Sequence, residues 1–131
     1  MKAAYLPLLV LSQLALTACS QGEPQAMPPV TPAAEAIGPA QDCLPLAQFS
    51  NTRIRDDRTI DFIGGAGNKV WRMTLPNRCN GLKAADSFTY ETSLSQLCKH
   101  DILYPLRQFG GGYDRGAACG MGPFVPVKLV R

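Results

Sequence analysis

The sequence predicts an all-β domain: a small antiparallel sheet or barrel-like roll, stapled by disulfides and preceded by a signal peptide and a disordered linker. Three observations carry this. Short runs alternate polar and apolar residues with period two. No stretch keeps a 3.6-residue apolar period over three turns. Four of the five cysteines fall at Cys43, Cys79, Cys98 and Cys119, in the part of the chain that also holds the alternating runs. The 131 residues suffice for one domain, and three segments are expected: 1–18, 19–40 and 41–131.

Met1-Lys2 is a short basic start, and Ala3 to Ala15 is mostly apolar. That run is too short and too broken for a spanning helix but has the length of a signal-peptide core. Leu16-Thr17-Ala18-Cys19 follows directly. It resembles the lipobox of bacterial lipoproteins, in which the cysteine thiol receives a diacylglycerol and the peptide before it is removed. The resemblance implies that Cys19 carries lipid. Ser20 follows it, and the absence of Asp at that place implies sorting to the outer membrane, facing the periplasm. Residues 20–40 hold five prolines and almost no large apolar side chains. This composition predicts a flexible tether that lifts the domain up to roughly 60 Å from the lipid.

Within 41–131 the elements follow in order. A first strand is expected over Thr52 to Arg55, turning through Asp56-Asp57-Arg58. Thr59 to Ile63 and Val70 to Leu75 alternate on either side of the turn-rich Gly64-Gly65-Ala66-Gly67-Asn68 and read as a hairpin. Trp71, Met73 and Leu75 take the core side, Arg72 and Thr74 the other. Pro76 ends the hairpin. Phe88 and Tyr90 share a face of a further strand. Ile102-Leu103-Tyr104 opens another, with a bend or edge expected at Pro105. Gly110 to Gly116 reads as a mobile loop, and Phe124 to Leu129 closes the domain. Ser93 to Lys99 fits a helical turn or a strand equally. Five to seven strands are expected.

Five cysteines are odd for an exported protein. With Cys19 lipidated, four remain for two disulfides in an oxidising compartment. A domain this small is marginal without such staples. Four cysteines allow three pairings. The pairing favoured is Cys79–Cys98, which flank the Phe88–Tyr90 strand, with Cys43–Cys119 as the other.

The formal charge of +3 is modest and carries no nucleic-acid signature. No Cys-x-x-Cys, phosphate loop or Gly-x-Ser-x-Gly elbow is present. A single histidine, His100, is too few for a metal centre, and no cofactor is implied. Asp56 and Asp57 adjoin, which suits a turn better than an acid–base pair. Arg53, Arg55 and Arg72 fall at alternate positions of neighbouring strands. They form a candidate face for carboxylates or phosphates of a partner, unless they pair with Asp56, Asp57 and Asp61. Tyr113, inside the glycine-rich loop, is the candidate exposed aromatic contact.

An ordered series resembles a family of small uncharacterised lipoproteins of Gram-negative bacteria, a domain of unknown function. The series is Cys43, Arg53-Ile54-Arg55, Asp57, Lys69-Val70-Trp71-Arg72, Leu75-Pro76, Cys79-Asn80-Gly81-Leu82, Phe88 to Thr92, Leu97-Cys98, Asp101 and Cys119 to Phe124. The resemblance brings no activity, ligand or catalytic residue. The expected function is therefore a lipid-anchored envelope lipoprotein, a non-enzymatic binding or accessory module for an envelope protein or cell-wall polymer. The alternatives are a small inhibitor of a periplasmic or host enzyme, recognisable by a protruding rigid loop, and an enzyme subunit using His100, recognisable by a pocket joining it to a Ser or Asp.

Overall fold

A computed structural model describes residues 28–131. The signal peptide, Cys19 and the first part of the tether lie outside the described residues. The strands are β1 (Ala34–Ala36), β2 (Cys43–Pro45), β3 (Asn51–Ile54), β4 (Thr59–Gly64), β5 (Lys69–Thr74), β6 (Phe88–Glu91), β7 (Gln96–Cys98), β8 (Ile102–Phe109), β9 (Gly112–Arg115), β10 (Cys119–Gly120) and β11 (Phe124–Leu129), with one short helix, α1 (Leu82–Ala85), between β5 and β6. The fold is thus all-β and antiparallel, built from more and shorter strands than the alternation alone suggested.

The main sheet runs β1-β11-β5-β4-β3. Its centre is the expected hairpin, with Phe62 opposite Trp71 and Ile60 opposite Met73. Ile54, Ile60, Phe62, Trp71, Met73 and Phe124 all lie on its inner face, at most 7% exposed. A second sheet, β10-β8-β6 with β9 on β8, and the β2-β7 pair close over that face. They contribute Leu44, Leu97 and Leu103 to the same core. Phe62 sits at its middle, edge-on to Phe49, Phe88 and Phe124 at 5.0, 6.3 and 5.2 Å, a geometry that suits the ring quadrupoles. Full burial of one such side chain contributes about 2–3 kcal/mol.

Several expectations change. The tether was expected to run through residue 40, yet Ala34–Ala36 forms an edge strand against Val127–Leu129. Ile37 N–H donates to the Pro126 carbonyl, and Gln41 and Phe124 exchange a pair of backbone bonds. Alanine is a poor core former, but an edge strand needs only backbone N–H and C=O groups, and Ala34, Glu35 and Ala36 supply them. The disulfides also differ. Cys43 pairs with Cys98 and Cys79 with Cys119. Cys98 lies directly opposite Cys43 in the β2–β7 ladder, with Cα atoms 4.0 Å apart. The chain leaving β6 therefore returns to β2 and not to the segment before α1. Residues 96–98 settle as a strand because Leu97 packs opposite Leu44.

Pro105 lies inside a continuous β8. Its ring nitrogen falls between the span covered by β10, opposite Ile102 and Leu103, and that covered by β9, which begins opposite Leu106. Its carbonyl accepts from Gly116 N–H at 2.7 Å, so the missing donor leaves no gap in either ladder. Gly64 is required by close approach. A Cβ there would collide with the Gln48 carbonyl oxygen.

Candidate functional site

The polar positions of β4 do not face water. Thr59 and Asp61 are 2% and 0% exposed. Asp61 lies opposite Arg53 on one side and Arg72 on the other, on the outer face of the main sheet. Its carboxylate accepts Arg55 Nε at 2.7 Å, Arg72 Nε at 2.7 Å and Arg72 Nη2 at 2.9 Å. Two guanidiniums thus share one carboxylate, leaving a surplus positive charge. Arg72 Nη2 also donates to the Pro32 carbonyl at 2.9 Å, which straps the incoming segment across this face. Of the three candidate arginines, Arg55 and Arg72 are held by Asp61. Arg53 is exposed and has no ion-pair partner among the described residues.

The two other aspartates of the expected ion-pair set serve the β3–β4 turn. Asp56 Oδ1 accepts from Arg58 N–H at 2.8 Å. Asp57 Oδ1 accepts from the Lys83 backbone N–H at 2.9 Å, while its Oδ2 takes Arg78 Nε and Nη2 at 3.1 and 3.0 Å. The Lys83 N–H holds the Asp57 carboxyl below the ordinary aspartate range. Partial burial works against this, and the bonds and charge of Arg78 add to it.

The glycine-rich segment expected as a mobile loop is the turn and second strand of a hairpin. Gly110 and Gly111, at φ 56° and 89°, form a two-residue turn of the primed type that matches strand twist. Arg107 pairs with Asp114, Gln108 with Tyr113 and Phe109 with Gly112. The ladder with β6 ends where Leu106 N–H meets the Ser87 carbonyl. Residues 107–114 therefore continue as a two-stranded arm about 10 Å past the sheet. Phe109 and Tyr113 at its tip are 81% and 67% exposed. Strand alternation puts them on opposite faces. The arm is braced by an Arg107–Asp114 bond of 2.9 Å. At its root Arg115 lies 4.9 Å over the Tyr104 ring and binds Glu91 at 2.9 Å. Tyr113 was legible from its glycine neighbours. Phe109 was missed because Gly110 was taken as the loop's start, not as a turn continuing β8.

His100 is exposed. The shallow depression it shares with Arg58, Leu75, Pro76, Lys99 and Met121 contains no serine or carboxylate. The Asp101 carboxylate is turned away, accepting from Cys98 N–H at 2.7 Å. That depression does not join His100 to a Ser or Asp. Among the described residues no group of three or more His, Cys, Asp or Glu converges for a metal, and no helix is long and apolar enough to cross a membrane. No family model, curated protein or solved structure matches the chain.

Proposed function

We propose that the chain is a lipid-anchored lipoprotein of the cell envelope, at the outer membrane and facing the periplasm, whose β domain is a non-enzymatic binding module. The β8–β9 arm is its contact element. One observation carries the reading: a paired hairpin that projects past the sheet ends in two exposed aromatic side chains, Phe109 and Tyr113, that contribute nothing to the core. Exposed large apolar groups on a projecting hairpin favour a partner surface that buries them. With one ring on each face, the tip suits a protein cleft that closes on both sides more than a flat polymer. The lipobox-like Leu16 to Cys19 and the two disulfides support the compartment. A second reading, an inhibitor of a periplasmic or host enzyme, draws on the same protruding arm.

The test is in-cell photo-crosslinking with the probe at Tyr113, and separately at Lys69 on the far hairpin. One envelope protein captured from Tyr113, absent from Lys69 and lost with Phe109→Ser, is the expected result. No adduct from Tyr113 in a correctly lipidated protein overturns the arm as contact element. Cys19→Ser is expected to move the protein from the membrane to the soluble fraction.

A further inference from the structure

The open edges of β3 and β6 face each other across a cleft of about 580 Å³, lined by Asn51, Thr52, Arg53, Ile54, Arg55, Lys83, Asp86, Ser87 and Phe88. We propose that this cleft binds a saccharide carrying a carboxylate or phosphate group.

The electrostatics select an anion. Arg53, Arg55 and Lys83 line the cleft against the single carboxylate Asp86. The Asp61 charge behind Arg55 is already shared with Arg72. Lys83 Nζ donates to the Ile54 carbonyl at 3.0 Å, which sets the ammonium at the residue between the two arginines. Arg53 and Arg55 are two apart on one strand and so project to the same side. Arg55 spends only its Nε on Asp61. Two guanidiniums and an ammonium around one cavity are a donor set for an oxyanion.

The remaining lining selects a hydroxyl-rich body over a peptide strand. Backbone groups of Thr52 and Ile54 point to the open edge, because Arg55 N–H bonds across to Thr59 and alternate residues face away. Two of those edge groups are already taken: Thr52 N–H donates to Asn51 Oδ1 at 2.8 Å and the Ile54 carbonyl holds Lys83. An added strand would have to displace both. A sugar needs neither, and finds the Thr52 and Ser87 hydroxyls, the Asn51 amide and the wall of Phe88. The volume falls within the usual range for small-molecule sites.

The experiment is a titration of the oxidised, isotope-labelled chain with glucuronate, a glucose monophosphate and neutral glucose, followed by backbone amide shifts. Saturable shifts confined to Asn51–Arg55, Lys83 and Ser87, given by either anionic sugar and not by glucose, are expected. The two anionic arms separate a carboxylate from a phosphate ligand. Arg53→Gln, at an exposed position, should weaken binding about tenfold, the worth of one charged hydrogen bond. Lys83→Gln should do the same. Phe109→Ser should leave it unchanged, so this site stands or falls apart from the arm. Shifts with glucose alone, shifts spread over every surface lysine and arginine, or no shifts at all would each overturn the proposal.

Discussion

Replacing Asp61 with Asn tests what holds the outer face of the main sheet. The substitution keeps the shape and removes the charge. The Asp61 side chain is fully buried, while those of Arg55 and Arg72 are 20% and 12% exposed. Three charge-assisted bonds of 2.7–2.9 Å depend on it. At about 1.5–3 kcal/mol each, a simple total would exceed the whole effect, since the bonds share one acceptor and water reaches both arginines. Breaking a buried pair by removing one partner typically costs about 3–5 kcal/mol. The residual exposure puts Asp61→Asn near the lower end, about 3 kcal/mol. That is a large part of the 5–15 kcal/mol typical of a small domain. Urea unfolding of the oxidised chain, monitored by Trp71 fluorescence, measures it. A triple variant, Asp61→Leu with Arg55→Met and Arg72→Met, should recover most of the loss, because no charge is then left unpaired. Amide exchange supplies a second signature: Glu35 and Ile37, in the segment strapped through Pro32, should lose protection before the β4–β5 ladder does. A cost below about 1 kcal/mol for Asp61→Asn would refute the argument and show that the guanidiniums rehydrate freely. A triple variant as unstable as the single one would show that shape, not charge, is decisive.

The two disulfides close separations of 55 and 40 residues, each contributing about 4 kcal/mol and differing by only about 0.3 kcal/mol in closure entropy. Burial should set the order: Cys79 is 0% exposed, so Cys79→Ala with Cys119→Ala should lower the urea midpoint more than Cys43→Ala with Cys98→Ala. Gly64→Ala drives a Cβ into the Gln48 carbonyl and should cost about 3 kcal/mol by the same assay. Asp57→Asn should cost about 1 kcal/mol at neutral pH. Because the folded carboxyl is held below its unfolded value, its stabilisation is full above about pH 4 and fades as pH falls through the folded pKa. The variant and the parent should therefore converge in acid, and a gap that widens there would refute the assignment. Phe109→Ser should leave the unfolding free energy within about 0.5 kcal/mol of the parent, as expected for a side chain outside the core.

Period-two alternation was enough to place β4, β5 and β6, and to assign Trp71, Met73 and Leu75 to the core. Other readings failed in two places for identifiable reasons. At Ala34–Ala36 composition argued for a tether, since edge pairing uses backbone groups and leaves no mark in side-chain composition. Between Cys79 and Cys98, proximity along the chain suggested a pairing that the β2–β7 register overrules. Of the candidate contacts, Tyr113 was found through its glycines. The cleft escaped notice because Lys83 reaches β3 from a helix that no periodicity signalled.

The pairing of β1 with β11 also sets how the domain meets mechanical load. Tension applied from the N-terminal side first meets the strap over Arg72, then the three-residue β1 ladder, both at the sheet's margin, where strands peel one bond at a time. The Cys43–Cys98 crosslink is the first covalent stop. Up to that stop, residues 28–42 can pay out roughly 50 Å of chain while the core, the arm and the β3–β6 cleft stay folded. Margin and crosslink together divide the N-terminal side into a stretch held by hydrogen bonds alone and a body that Cys43–Cys98 ties covalently.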